Sequence, residues 1–241
     1  MRSLSIIIPA FNEESRLPVT IEALKTYLAT QQFAFLEVVV VDDGSRDGTA
    51  ALVERVAAEW PVVRLLRNPG NRGKGFSVRH GMLDAKGEWV LFSDADLSAP
   101  IGEVEKLLQC VEKTGADIAI GSRALDRSLV SKHQGAMREI SGRFFNLVMR
   151  VVAGLPFHDT QCGFKLFRRG AAQDVFSRLQ IDGFGFDVEA LFIARKRGFK
   201  SIEVPVRWAN VEGTKVSLFN GLTAFADLGR IRWNAIRGLY R

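Results

Sequence analysis

Short apolar runs alternate with helical stripes through the first half of this 241-residue chain, and this alternation constrains its fold more than any other feature. β-branched and aromatic runs predict strands, and they lie at Leu4–Ile8, Val38–Val41, Val62–Leu66, Trp89–Phe92 and Ile118–Ile120. Between the first two runs, apolar residues recur at helical spacing, which predicts a helix; they are Leu17, Ile21, Leu24 and Leu28. Repeated strand–helix units indicate an α/β fold whose mainly parallel sheet is flanked by helices.

Composition limits the class of protein and its partners. Hydrophobic residues make up 47% of the chain and charged residues 25%, as in soluble globular proteins. The strand pattern begins at Leu4, so we expect no signal peptide. Cys110 and Cys162 are the only cysteines, which favours a reducing, cytoplasmic compartment. A net charge of +6 favours an anionic partner. Basic and aromatic residues do not interleave as they do in nucleic-acid-binding proteins, so we expect no nucleic-acid partner.

Two carboxylates, Asp94 and Asp96, directly follow the apolar run Trp89–Phe92. Open α/β sheets bind ligands at the carboxyl ends of their strands. Paired carboxylates at such an edge repel each other unless a hard divalent cation neutralises them, and Mg²⁺ or Mn²⁺ would bring nucleotide phosphates with it. The alternative is that Asp96 and Ser98 cap the helix predicted after Pro100. That alternative leaves Asp94 without a role.

Other strand ends carry polar segments of the kinds that a nucleotide site needs. Pro9–Glu14 follows the first strand, although Asn12 and Glu13 could instead cap the next helix. Asp42–Ser45 follows the second strand, where a carboxylate could accept hydrogen bonds from a uracil N–H or a ribose hydroxyl. Asn71–Gly75 is a basic, glycine-rich loop that suits phosphate groups.

In this order, these segments resemble the family-two inverting glycosyltransferases of the GT-A fold, which is Rossmann-like. The resemblance covers most of the chain. Within the family it is closest to the dolichyl-phosphate and polyprenyl-phosphate β-glucosyltransferases. That narrower likeness rests on Arg72-Gly73-Lys74-Gly75, Gly121-Ser122-Arg123, Asp159-Thr160-Gln161-Cys162-Gly163-Phe164-Lys165, Phe186-Asp187-Val188-Glu189 and Glu212-Gly213-Thr214-Lys215.

The resemblance implies a set of site residues. The nucleotide-sugar pocket would be formed by Pro9, Ala10, Asn12, Glu13, Asp42, Asp43, Arg72, Lys74, Asp94 and Ala95. Asp94 and Asp96 would hold the donor diphosphate through Mg²⁺ or Mn²⁺. The catalytic set would be Asp96, Arg123, Arg138, Asp159, Lys165 and Lys215. Ser98 stands where some mannosyl members of the family place a Gln metal ligand, which leaves the third protein ligand open.

Individual roles within this set follow from the same resemblance. Asp43, with Asp42, would hold the base or ribose. Arg123 and Arg138 would meet the phosphates of donor and acceptor, with Lys165 and Lys215 as further candidates. Asp159 would orient an Arg or Lys near the acceptor, or act as a base if the acceptor is a hydroxyl. Asp187 and Glu189 would lie near the site, or else be structural charges that pair with Arg195 or Lys196.

The resemblance also implies a reaction. The segment Trp208–Lys215 is closer to the glucosyl than to the mannosyl type, which favours UDP-glucose over GDP-mannose. We expect inverting transfer of a hexose from a UDP-sugar to a polyprenyl phosphate, dolichyl or undecaprenyl. A phosphate monoester is already anionic near neutral pH, so the enzyme must mainly compensate charge. The alternatives are a family-two enzyme with a polysaccharide or soluble hydroxyl acceptor, and a nucleotide-sugar-binding protein without transfer.

Two segments of the second half are amphipathic. Residues 140–155 form an apolar helical stripe with a narrow basic edge, and residues 218–241 combine Trp and Tyr with four arginines. Both suit a membrane interface, although a core helix and a helix packed back on the domain are the respective alternatives. We expect a catalytic domain at 1–217, with a nucleotide-sugar half (1–125) and an acceptor half (126–217), followed by an amphipathic helix at 218–241. A peripheral protein on the cytoplasmic face of the membrane is predicted, and a homo-oligomer stays open.

Overall fold

A computed structural model describes residues 2–132, 151, 153–211 and 218–241, with every side chain in these ranges except those of residues 132 and 218–225. Its strands within these ranges are β1 (Arg2–Ala10), β2 (Phe33–Asp42), β3 (Val63–Arg67), β4 (Trp89–Ser93), β5 (Ile118–Ser122), β6 (Val130–Lys132), β7 (Phe164–Arg168), β8 (Ser201–Pro205) and β9 (Trp208–Ala209). Its helices are α1 (Leu17–Leu28), α2 (Thr49–Glu59), α3 (Lys74–Asp84), α4 (Val104–Thr114), α5 (Arg169–Ser177), α6 (Phe186–Lys196) and α7 (Leu218–Ile236). The five predicted strands and the first predicted helix are confirmed.

Seven of the described strands form one twisted sheet in the order β3-β2-β1-β4-β7-β5-β8, and β6 pairs with β9 in a separate two-stranded sheet. Within the large sheet β7 is antiparallel to both neighbours, and the remaining pairs are parallel. The predicted α/β fold with a mainly parallel sheet is therefore confirmed. The antiparallel strand β7 was not among the predicted strands.

The register of the sheet brings polar segments to one edge. Ala10 at the end of β1 pairs with Asp42 at the end of β2. In the centre, Ser93 at the end of β4 pairs with Phe164 at the start of β7. Because β7 runs the opposite way, its first residue lies beside the last residue of its neighbour. The edge therefore combines carboxyl ends of parallel strands, among them those of β1, β2, β4 and β5, with the segment that enters β7.

Both faces of the sheet are buried, so the strands are apolar on both sides. On one face, Ile6 and Ile8 pack in a cluster with side chains of α1 and α4. On the other face, Ile7 packs in a cluster with side chains of α3, α5 and α6. This two-sided burial fixes the strand ends, and hence the polar edge, on a rigid support.

The C-terminal helix α7 packs on the second of these faces. Leu228, Ile231 and Tyr240, which follows the helix, are buried in the same cluster as Ile7. The outer side of the helix is open, with Trp233 60% exposed and Ile236 77% exposed. Among the described residues, no helix has the length and apolar character that crossing a membrane requires. Most of the predicted stripe at 140–155 lies outside the described residues.

Candidate active site

The two carboxylates after β4 lie at the centre of the polar edge. An oxygen of Asp94, Oδ1, is 2.7 Å from Nζ of Lys74. The Asp94 N–H donates to the carbonyl of Gly163 at 3.1 Å. A Cβ at Gly163 would lie 2.0 Å from Oδ2 of Asp94, so only glycine leaves room for this carboxylate.

Asp96 closes a tight turn and does not cap the following helix. Its Oδ1 accepts the N–H of Ser98 at 3.0 Å. The next helical turn begins at Ile101, after Pro100, and makes no side-chain cap hydrogen bond. The capping interpretation of Asp96 is therefore wrong, and within the residues that the structure describes its second carboxylate oxygen accepts no hydrogen bond.

Asp43 anchors the basic loop, here defined as residues 72–75. Its carboxylate accepts the N–H groups of Arg72 at 2.9 Å and Gly73 at 2.8 Å, and the side-chain amide of Asn68 at 2.7 Å. Asp43 is 4% exposed. The carboxylate thus holds the loop in place, whereas the carboxylate of Asp42 accepts, among the described residues, a single longer hydrogen bond from the N–H of Ser45, at 3.2 Å.

Lys74 leads from this loop towards the acidic strand end. Its Nζ is 5.5 Å from the ring centroid of Phe92 and 5.8 Å from that of Phe184, both within cation–π range. Burial lowers the pKa of Lys74, but Asp94 and nearby Asp187 outweigh it and hold the pKa above its ordinary value. Lys74 therefore stays cationic beside the acidic end of β4.

Lys165 lies beneath the same edge. It is 1% exposed. Its ammonium group binds Asp187 and donates to the carbonyl of Cys162 at 2.6 Å. Asp187 is therefore the partner of Lys165, and the interpretation that it pairs with Arg195 or Lys196 is wrong. A direct contact between Lys165 and substrate stays a prediction.

Arg123 and Asp159 form a further ion pair at the edge, in which Asp159 is buried and Arg123 is partly exposed. Nε and Nη2 of Arg123 donate to the two oxygens of Asp159 at 2.6 and 2.8 Å, and the Arg123 backbone N–H adds a third bond at 3.1 Å. The guanidinium lies 5.4 Å from the ring centroid of Trp208. Burial raises the pKa of Asp159, but Arg123 outweighs it and holds the pKa below its ordinary value. This geometry is what an orienting carboxylate needs.

The segment after β1 completes the edge. Ala10 ends the strand, next to half-buried Pro9. Asn12 has a left-handed backbone, with φ of +53°, and its Oδ1 accepts the N–H of Arg46 at 2.8 Å. Glu13 binds Arg16 through two hydrogen bonds, of 2.5 and 2.6 Å. Glu13, its direct partner, raises the pKa of Arg16, and Asp96 and Asp94 add smaller contributions in the same direction.

Several partners in this arrangement were not predicted from the sequence. They are Arg16, Asn68, Phe184 and Trp208. Of these, only Arg16 could have been found from the sequence, because it lies three residues after Glu13, a spacing at which opposite charges can pair next to the predicted helix. Arg138 and Lys215, both predicted to be catalytic, lie outside the described residues. Within the described residues, no group of three or more His, Cys, Asp or Glu side chains is arranged to hold a metal ion.

Comparison with known proteins gives the family. The model of the family described as Glycosyl transferase family 2 matches residues 5–176, well over half of the chain. The chain belongs to this family. It is therefore a glycosyltransferase, as the sequence predicted.

Relatives of this glycosyltransferase support the narrower resemblance. A protein of Dictyostelium discoideum named dolichyl-phosphate beta-glucosyltransferase is 35% identical over 99% of this chain and 76% of its own length. Proteins of the same name from Homo sapiens and Saccharomyces cerevisiae are 35% and 34% identical, over 100% and 99% of this chain and 78% and 76% of their own lengths.

Solved structures confirm the GT-A fold. Glucosyl-3-phosphoglycerate synthase from Mycobacterium tuberculosis, in complex with Mn²⁺, UDP and glucosyl-3-phosphoglycerate, gives a TM-score of 0.67 at 19% identity, covering 95% of this chain and 80% of its own. Mannosyl-3-phosphoglycerate synthase from Rubrobacter xylanophilus gives a TM-score of 0.70 at 17% identity, covering 98% and 75%. At such identities the likeness concerns the fold alone.

Proposed function

We propose that this glycosyltransferase moves glucose from UDP-glucose to a polyprenyl phosphate, dolichyl or undecaprenyl, with inversion at the anomeric carbon. A phosphate oxygen of the acceptor forms the new bond, and UDP leaves with the electron pair of the broken bond. One observation carries the proposal. Cations from different segments lie at the edge that carries Asp94: the Lys74 ammonium is 2.7 Å from Asp94 Oδ1, and the Arg123 guanidinium is paired with Asp159. A site of this kind suits two phosphate-bearing reactants.

Donor binding is assigned to the edge formed by β1, β2, β4 and the basic loop. Lys74 and the loop N–H groups would meet the diphosphate, because a glycine-rich segment before a helix exposes donors that favour anions. Asp42 is the carboxylate assigned to the base or ribose, since Asp43 already accepts three hydrogen bonds within the protein. Pro9, Ala10, Asn12 and Glu13 would line the same pocket.

Asp94 and Asp96 are the residues that would hold Mg²⁺ or Mn²⁺. Two carboxylates suit these hard cations, which keep several water or phosphate ligands of their own. The Lys74 ammonium already lies on Asp94 at 2.7 Å, so this carboxylate is placed to accept a cation. When bound, such an ion would stabilise the charge on the departing UDP.

The acceptor side is assigned to Arg123, with Arg138 and Lys215 as further predicted contacts. Asp159 orients Arg123 and is a poor general base, because both its oxygens bind the guanidinium and its pKa is held low. A hydroxyl acceptor would need a carboxylate base. A phosphate acceptor needs none, which favours the phosphate over the soluble hydroxyl acceptor.

Transfer can be tested directly. Purified protein with UDP-[¹⁴C]glucose, Mn²⁺ and dolichyl or undecaprenyl phosphate should give an acid-labile product that extracts into organic solvent. Asp96→Asn should abolish this product. Asp174→Asn, which alters an aspartate paired with Arg178 and Arg197, should not. Transfer only to 3-phosphoglycerate or free saccharides, or only from GDP-mannose, would overturn the proposal.

We further propose that the protein binds the cytoplasmic face of a membrane peripherally, through the outer side of α7. Trp233 and Ile236 are exposed there beside the exposed arginines Arg230 and Arg237. Apolar side chains flanked by cations suit an interface with anionic lipid headgroups. Both cysteines are free thiols, which supports a reducing compartment.

A further inference from the structure

The segment between α5 and α6, residues 180–185, is packed against the basic loop and is called the support loop below. The carbonyl of Asp182 accepts the N–H groups of Gly75 at 2.8 Å and Phe76 at 3.2 Å. A Cβ at Gly73 would lie 2.5 Å from the same oxygen. Phe184 of the support loop also packs on the Lys74 ammonium. The position of Lys74 therefore depends on the support loop.

Glu189, in the first turn of α6, holds the support loop in place. Its Oε2 accepts the N–H groups of Gln180 at 3.0 Å and Ile181 at 2.8 Å. Its Oε1 accepts the hydroxyl of Tyr240, and Asn234 donates to that hydroxyl oxygen at 3.2 Å. Glu189 and Tyr240 are both fully buried. Buried polar groups joined in this way are rigid, because breaking one bond leaves another unpaired.

A second contact joins the C-terminal segment to the support loop. Asp227 of α7 accepts the N–H of Gly185. A Cβ at Gly185 would lie 2.5 Å from Oδ2 of Asp227, so the approach requires glycine. The C-terminal segment thus holds both ends of the support loop, at Gly185 directly and at Gln180 through Glu189.

We propose that Glu189 and Tyr240 are positioning residues for the donor. Through the support loop they keep the basic loop, and with it Lys74, in the geometry that binds a nucleoside diphosphate. This inference rests on the proposed function, since it takes the UDP-sugar as the ligand of the basic loop. Because the connection ends at the donor side, losing it should weaken donor binding and leave acceptor binding unchanged.

Tyr240→Phe tests the inference, with Ser5→Ala as its matched control. Each variant removes one buried hydroxyl that donates to a buried glutamate. Ser5, however, bonds to Glu37, and Ser5 lies in the half of β1 that is farther from the polar edge. Calorimetry of UDP with Mn²⁺ should give about fivefold weaker binding for Tyr240→Phe and unchanged binding for Ser5→Ala. Both variants should lower the melting temperature.

Two further variants separate positioning from general loss of stability. Glu189→Gln should bind UDP almost as well as the wild type, because its amide oxygen can accept both N–H groups and its NH₂ can donate to Tyr240, whose hydroxyl then donates to the amide oxygen of Asn234 once that side chain turns over. The Glu189→Ala variant should bind UDP more weakly than the Tyr240→Phe variant does. If Glu189→Ala does not fold, Tyr240→Phe, which loses a single oxygen atom, carries the test.

Hydrogen exchange and kinetics complete the experiment. Peptides covering 72–76 and 180–185 should exchange faster in Tyr240→Phe, and KM should rise for the donor but not for the acceptor. Unchanged UDP affinity and unchanged exchange in both peptides would overturn the inference. A wild-type protein that does not bind UDP would instead overturn the proposed function.

Discussion

At the scale of single residues, three of the acids at the polar edge are paired with a specific cation. Asp94 binds Lys74, Asp159 binds Arg123 and Asp187 binds Lys165. Such pairing lowers the cost of placing carboxylates at a partly buried edge. It also means that a substrate or metal ion must exchange partners with a pair that already exists.

Lys74→Met should separate two effects of this lysine. Without nucleotide, Mn²⁺ should bind about fivefold more tightly, because the ammonium no longer occupies Asp94. With Mn²⁺ present, UDP should bind about tenfold more weakly, because one charge-assisted contact to phosphate is lost. Electron paramagnetic resonance of free Mn²⁺ measures the first effect, and calorimetry the second.

Lys200→Met is the control for this variant. Lys200 donates to a backbone carbonyl, that of Thr114 at the end of α4, so its removal should change neither affinity. Weaker Mn²⁺ binding to Lys74→Met in the absence of nucleotide would show that Lys74 does not compete with the metal ion.

Arg123→Gln should destabilise the protein in a pH-dependent way. At pH 7 the loss should be about 3 kcal/mol, because Asp159 is left as a buried, unpaired charge. In the wild type the low pKa of Asp159 keeps the pair ionised, and its stabilisation is lost only as pH falls below the unfolded value of 3.8. In the variant, burial would raise the pKa of Asp159, so acidification protonates this carboxyl. The difference in melting temperature between the wild type and the variant should therefore become smaller as pH falls from 7 to about 4.

The control for this pH profile is Arg207→Gln. Arg207 also pairs with a buried acid, Glu103, but Lys106 pairs with the same carboxylate. The melting temperature of Arg207→Gln should therefore differ from that of the wild type by the same amount at every pH between 7 and about 4. If the melting temperatures of Arg123→Gln and the wild type differ by the same amount at every pH, the assigned ionisation of Asp159 is contradicted.

Single residues were predicted unevenly from the sequence. Asp94 and Asp96 could be found because a strand end followed by two acids is a local pattern. The role of Asp43 in holding the basic loop could not be predicted, because its partners Arg72 and Gly73 are some thirty positions away along the chain. They contact Asp43 only after β2 and α3 have packed together. Glu189 was named among residues near the site or paired with Arg195 or Lys196, and its partner Tyr240 lies 51 residues further along the chain.

At the scale of elements, local periodicity predicted the parallel strands and α1 well. Three of the five predicted strands, β2, β4 and β5, show uninterrupted apolar runs because both their faces are buried. The strand β7 was missed, since Phe164–Arg168 places a lysine in its second position. That lysine is tolerated only because Asp187 from α6 meets it, which is a long-range contact that no local pattern contains.

The outer side of α7 gives a prediction at this scale. Replacing both Trp233 and Ile236 by alanine should weaken binding to vesicles containing phosphatidylglycerol about tenfold or more, since most of the apolar area that would enter the interface is lost. Co-sedimentation measures the change. UDP affinity should stay as in the wild type.

Val19→Ala supplies the matched comparison. Val19 lies on α1 and is 75% exposed, as open as Ile236, but it is not on the proposed membrane surface. Its replacement should leave vesicle binding intact. Equal binding by the double variant and the wild type would show that α7 is not the membrane contact.

At the scale of the whole molecule, Cys162 reports the stability of the fold. It is 1% exposed, and burial raises the pKa of its thiol to about 12. A Cys110→Ser variant should therefore react with Ellman's reagent at pH 8 only through unfolding. UDP with Mn²⁺ at a hundred times its dissociation constant should slow this reaction about a hundredfold. Rapid labelling of the native variant would contradict the burial of Cys162.

The reversed direction of β7 has a consequence for how such enzymes diversify. β5 ends with Ser122 and β7 starts with Phe164 on the same rim, and Ile120 pairs with Lys165 across the two strands. The chain between these two strands therefore leaves and re-enters the large sheet at neighbouring positions, roughly 5 Å apart. Lengthening such an excursion costs little closure entropy. The segment between β5 and β7 can therefore change in length and sequence while β1, β2 and β4, whose ends form another part of the polar edge, stay the same.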